Sequence, residues 1–298
     1  MSSFPIPGVR AGHVTRDGTG VTVVLFPAGS VGSGEVRGGA PASREIDLLD
    51  PTRTVGRVDA VVFAGGSAFG LSAADGVMHY LAARGQGYAT ASGPVPIVPA
   101  ACVFDVVESG GALPTAADGE AAAEAAARDE PLALGRVGAG ASATVGKWRG
   151  REAAVPGGVG VAATTVDGAR VAALAVVNAI GDVIAADGSV VAGSTAPADT
   201  PAFPSPAPFE EPARLEEDAR GNTTLVVVVT DAVCDKTACA LLAQSAHDGL
   251  ARALRPAHTR FDGDLALAVA TGVIEAHLDR LRIAAADVVA DAIRAAPR

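Results

Sequence analysis

Gly221-Asn222-Thr223-Thr224-Leu225-Val226-Val227-Val228-Val229-Thr230 joins two kinds of sequence within ten residues. On its C-terminal side, Leu225–Thr230 is almost wholly apolar and rich in valine, the composition of a central strand covered on both faces. On its N-terminal side the chain changes character from Ser194 to Gly221. Proline recurs at 197, 201, 204, 206, 208 and 212, and Glu210, Glu211, Glu216, Glu217 and Asp218 add charge. Such a composition cannot bury a core, so 194–221 reads as a mobile surface linker. A mobile segment that ends against a rigid strand suits backbone strain and scission at the join.

Outward from this junction the chain alternates strand and helix patterns. Val21–Phe26, Ala60–Phe63, Arg170–Val177 and Leu265–Thr271 are apolar runs of strand length, and Val183–Ile184 is a short extended piece. Phe69–Leu81, Ala116–Arg128, a segment from Lys236 to Leu254 and Leu278–Ala295 carry helical periodicity. Asp235 stands where it can cap the third of these. With no internal repeat, the mixture predicts α/β or α+β layers around sheets.

Composition narrows the function. Of 298 residues 49% are hydrophobic but only 4% aromatic, so the core is expected to be built from Ala, Val and Leu. The net charge of −10, without a basic run interleaved with aromatics, argues against a nucleic-acid partner. No run of about 18 apolar residues exists to span a bilayer. Met1–Gly8 lacks the basic and apolar pattern of a secretory signal, so a cytoplasmic location is expected. Cys102, Cys234 and Cys239 are odd in number and lack zinc-type spacing, which predicts buried thiols rather than a disulfide framework or a metal site.

The glycine motifs invite phosphate chemistry and do not sustain it. Gly65-Gly66-Ser67 lies between a strand and a helix, but no further glycine pattern or acidic partner completes a dinucleotide fingerprint, and a packing turn is the preferred reading. A P-loop ending at Lys147 would need glycine at 141 and Ser or Thr at 148, where the chain has Ala141 and Trp148. His247 and His258 suggest a serine triad, yet no G-x-S-x-G elbow is present, so both are read as structural histidines.

Thr223 offers a different chemistry. A threonine hydroxyl can attack the carbonyl before it, and hydrolysis of the resulting ester frees an α-amine on the same residue. That amine, with a reference pKa of roughly 7.7–8, is tethered to the hydroxyl it must deprotonate. Asp262-Gly263-Asp264 enters the next strand, where two carboxylates can converge. Asn178 ends an apolar strand and needs polar partners, and Lys147 follows a run of small residues.

Taken with Val36-Arg37-Gly38-Gly39-Ala40, Phe63–Gly70, Gly135–Gly140 and Pro256–Asp264, these residues resemble one family over nearly the whole chain. It is the N-terminal-nucleophile hydrolase family of L-aminopeptidase/D-esterases, β-aminopeptidases, a pantetheine hydrolase and the nylon-oligomer (6-aminohexanoate-oligomer) endohydrolase. The Asn-Thr junction, Asp-Gly-Asp and Lys147 look most like the last branch. The resemblance implies an α+β fold, a four-layer αββα sandwich forming a single domain over 1–298. It implies autocleavage between Asn222 and Thr223 into chains 1–222 and 223–298, with Thr223 as nucleophile. Asp262 and Asp264 would orient the nucleophile and its amine, and Lys147 and Asn178 would line the site, Asn178 as an oxyanion donor.

Gly65, Gly66 and Phe69 would border the substrate, with Phe69 standing where a tyrosine is expected. The resemblance further implies homo-oligomers of αβ units, tetrameric or larger, acting on small peptide-like or oligoamide substrates without metal or organic cofactor. An acyltransferase, a binding protein that keeps the fold without maturing, and a nucleotide-binding α/β enzyme are the alternatives.

Overall fold

The computed structural model describes residues 3–197 and 221–297, so the expected linker lies almost entirely outside the described residues. Two five-stranded sheets form the frame. The first contains β1 (Arg10–Arg16), β2 (Thr19–Leu25), β4 (Ser43–Arg44), β5 (Ala60–Ala64) and β6 (Ala100–Cys102), in the order β1-β2-β5-β6-β4. The second contains β3 (Val31–Val36), β7 (Gly158–Val166), β8 (Ala169–Asn178), β9 (Thr223–Ala232) and β10 (Leu265–Ile274), in the order β7-β8-β9-β10-β3. Neighbours run antiparallel except β5 with β6 and β9 with β10.

Side-chain alternation explains why the sheets stack. Along β9, Leu225, Val227 and Val229 point into a core shared with Val24, Val61 and Phe63 of the first sheet. Val226 and Val228 point the other way, against Leu242 and Leu250 of α3 (Lys236–Ala253) and Val289 and Ile293 of α4 (Leu278–Ala295). The far face of the first sheet, Val21, Val23 and Val62, meets α1 (Ala73–Ala82) and α2 (Ala116–Ala127) through Val77, Leu81, Ala122 and Ala123. The result is a four-layer αββα sandwich, and the unbroken apolar run of β9 reflects burial on both sides.

Local signals set the helix ends. Asp235 caps α3 by accepting the Ala238 N–H at 2.7 Å, and Thr115 with Asp118 forms a reciprocal capping box on α2. The helix expected to start at Phe69 begins only at Ala73, because Ser67–Ser72 is a 3-10 turn. Gly66 and Ser67 open that turn with φ of 78° and 54°, a 3-10 entry common at helix N-termini. Strands β1, β3 and β7 escape a reading by apolar runs. Gly32, Ser33 and Gly34 give β3 no hydrophobic face of its own, and β7 carries exposed Thr164 and Thr165 at a sheet edge.

Leu174 of β8 is fully buried between the sheets. Leu174→Ala is expected to destabilise the fold by about 2–5 kcal/mol in urea unfolding; an unchanged midpoint would contradict the inter-sheet packing.

Candidate active site

Sheet register brings the junction residues together. Asn178, the last residue of β8, pairs with Thr223, the first of β9. On the other side of β9, Asn222 bridges Asp262 in parallel just before β10 begins. Thr223 therefore sits between a strand end and the Asp-Gly-Asp turn, and both Asn222 and Thr223 are buried. Three of the five residues expected to do the chemistry, Asn178, Thr223 and Asp262, meet there by strand pairing alone.

Two donors converge on the carbonyl oxygen of Asn222. The Thr223 hydroxyl donates to it, and the Gly263 N–H donates to it at 2.9 Å. Glycine is needed at 263 for space, since a Cβ there would lie 2.8 Å from Thr223 Oγ1 and 2.9 Å from the Ala40 carbonyl oxygen. Gly221 is constrained as well. Its φ is 93°, and a Cβ would press into the Phe104 ring, 2.2 Å from Cδ1.

The two carboxylates of the turn have separate partners. Asp264 Oδ1 accepts the Thr224 N–H at 2.7 Å, while Oδ2 accepts the His258 N–H at 3.0 Å and lies 2.9 Å from the His258 ring Nδ1. Asp262 Oδ2 accepts from the Thr259 N–H at 2.9 Å and from its hydroxyl at 2.6 Å. Burial, together with repulsion from Asp264, pushes the Asp262 carboxyl above the usual carboxylate range. The pair thus grips the backbone of Thr224 and the 258–259 turn, and the Thr223 hydroxyl goes to the Asn222 carbonyl.

Lys147 is fully buried in a short turn after Gly146. Its Nζ donates to Asn178 Oδ1 at 2.8 Å and to the Asn178 carbonyl at 3.1 Å. Asn178 Oδ1 also accepts the Thr144 N–H at 3.0 Å, and Nδ2 donates to the Phe104 carbonyl at 2.8 Å. The amide is clamped in one orientation by these bonds. Burial lowers the Lys147 ammonium to about 7, against the opposing fields of Glu108, Asp262 and Asp105. Its direct bonds are to Asn178, and it reaches Asp262 through its field.

The glycine turn after β5 has a packing role. The Gly65 N–H donates to Gly20 and the Gly66 N–H to Asp105 Oδ1 at 2.6 Å, so neither amide is available to cradle a phosphate. Phe69 is 69% exposed on that turn, and the aromatic ring against the junction is Phe104. Phe104 was hidden because a single phenylalanine in Val103-Phe104-Asp105 carries no spacing signal. Buried Asp105, which ties Gly66 and Thr19 together, was hidden likewise. His258, expected with His247 to be a structural residue, belongs to the site through Asp264.

Comparison with known proteins agrees with this fold. The model of peptidase family S58 matches residues 5–296. An uncharacterized aminopeptidase of Mycobacterium leprae is 44% identical over 293 residues, covering 91% of this chain and 78% of that protein. A 6-aminohexanoate-oligomer endohydrolase of Agromyces sp. is 32% identical over 285 residues, covering 92% and 76%. Overall identity is higher with the aminopeptidase than with the endohydrolase. The L-aminopeptidase D-Ala-esterase/amidase of Ochrobactrum anthropi, whose structure is described as a variant of the Ntn hydrolase fold, superposes with a TM-score of 0.71. That likeness is at 19% identity and covers 99% of this chain and 85% of the other. The chain belongs to peptidase family S58 and is an amide-bond hydrolase.

Proposed function

We propose that the chain cuts its own Asn222–Thr223 bond and then uses the freed Thr223 as an N-terminal nucleophile on small peptide-like or oligoamide substrates. The observation that carries this reading is the Asn222 carbonyl oxygen held between the Thr223 hydroxyl and the Gly263 N–H. In the first step Thr223 Oγ adds to the Asn222 carbonyl carbon, and the hydroxyl proton passes to the departing amide nitrogen. The peptide becomes an ester, and water resolves it into an Asn222 carboxylate and a free Thr223 α-amine. The Gly263 N–H stabilises the oxyanion of both steps, a donor of a kind worth about 2.7–4 kcal/mol.

In turnover the same hydroxyl attacks the substrate carbonyl while the α-amine takes its proton and returns it to the leaving amine. An acyl-enzyme forms and water hydrolyses it. Asn178 Nδ2 has a second hydrogen beyond the one on Phe104, and it supplies the other oxyanion donor. Lys147 acts by fixing the Asn178 amide, and Asp264 by fixing the backbone at Thr224. The relatives named aminopeptidase and 6-aminohexanoate-oligomer endohydrolase support amides with a free amino end or linear oligoamides as substrates.

Thr223→Ala should remain a single chain on a denaturing gel and lack amidase activity, because neither step retains its nucleophile. A cleaved Thr223→Ala protein would contradict the reading. Gly263→Ala should fold, as judged by circular dichroism, but mature at least about tenfold more slowly. The methyl displaces Thr223 Oγ and disturbs the oxyanion donor. Maturation at the wild-type rate would remove Gly263 from the mechanism.

A further inference from the structure

His258 meets one carboxylate oxygen with two donors from a single residue. Its backbone N–H and its ring Nδ1–H both point at Asp264 Oδ2, at 3.0 and 2.9 Å. To do this the residue adopts φ of 56°, a left-handed conformation uncommon for a side chain larger than glycine. A strained backbone retained beside a buried carboxylate marks a position that the surrounding structure holds in place. The other oxygen of Asp264 holds Thr224, one residue from the nucleophile.

The groups facing this ring are few. His247 of α3 stacks edge-on at 4.8 Å between ring centroids, and its Nε2–H donates to the Glu35 carbonyl of β3 at 2.9 Å. Burial lowers His247 to about 4, so it is neutral beside His258. Arg37, next to β3, opposes a charge on His258, and the carboxylate of Glu35 favours one on His247. Burial alone would lower His258, but the hydrogen bond and charge of Asp264, with the His247 carbonyl, more than offset it and raise it above the ordinary histidine value. The bond to Asp264 Oδ2 therefore favours the charged form of the His258 ring. The pairing is present at low pH and is lost as pH rises through the raised value.

We propose that His258 is a positioning residue that neutralises Asp264, so that the α-amine of Thr223 is not locked as an ammonium ion. This role rests on the N-terminal-nucleophile reading. A lone carboxylate near the new amine favours its charged form and raises its pKa, and a charged amine cannot accept the hydroxyl proton. An imidazolium on the far side of that carboxylate cancels much of its field. The amine then stays available as a base near its reference range of roughly 7.7–8. The bond from Asp264 to Thr224 still fixes the geometry.

The test is the titration of the Thr223 α-amine itself, which needs no knowledge of the natural substrate. Matured wild-type enzyme and His258→Gln are pulse-labelled with trace acetic anhydride from pH 5 to 10, and acetylation at the N-terminus of the 223–298 chain is read by mass spectrometry. Glutamine keeps a donor and removes the charge, so the midpoint should rise by about one unit. A midpoint that does not move overturns the role, even if less enzyme matures, because a merely structural histidine would lower yield without shifting the amine. Absence of any Thr223 α-amine in the wild type overturns the N-terminal-nucleophile reading and this one with it. If His258→Gln fails to mature, the wild-type imidazole spectrum decides. The ring beside His247 should be doubly protonated at pH 6.5, and a ring already neutral at pH 6 overturns the proposal.

Discussion

The site depends on one constraint, the seating of the Asn222 carbonyl between the hydroxyl that follows it and the Gly263 N–H. Parallel pairing of β9 with β10 sets this contact. Leu225 lies opposite Leu265, and running that register back two residues brings Thr223 level with Gly263. A one-residue slip would turn Leu225, Val227 and Val229 from the inter-sheet core to the helix side, so hydrophobic packing fixes the register and the register fixes the chemistry. The glycine at 263 lets the two strands approach closely enough for the bond.

Around this contact the protein buries charged groups that burial alone would neutralise. His258, Asp262 and Asp264 come from one turn and Lys147 from a distant part of the chain, and each is held by named hydrogen bonds. Their protonation preferences diverge for physical reasons. Desolvation lowers Lys147 and raises Asp262, while pairing with Asp264 raises His258. Such opposed shifts in one small volume are expected where protons must move near neutral pH. The covered apolar layers on both sides of β9 supply the low-polarity surroundings that make these interactions strong.

Much of this was legible in the sequence because β9 is so distinctive. An unbroken Leu-Val-Val-Val-Val run after a proline-rich segment located the central strand, and Asp262 and Asp264 stood at the entrance to the next. Helices α3 and α4 were legible from periodicity, with Asp235 marking the start of α3. What stayed hidden depends on contacts that no local sequence pattern shows. Strand β3 carries its glycines to fit against Val58 and Leu267, which no local pattern reveals. Phe104 matters only because Gly221 crosses its ring, and His258 only because the turn folds it back onto Asp264.

The central claim concerns a covalent bond in the chain, so the most direct measurement is the intact mass of purified wild-type protein with N-terminal sequencing of each component. The account predicts two polypeptides that remain associated under native conditions, the smaller beginning Thr223-Thr224-Leu225. A single polypeptide of 298 residues with full amidase activity would contradict it.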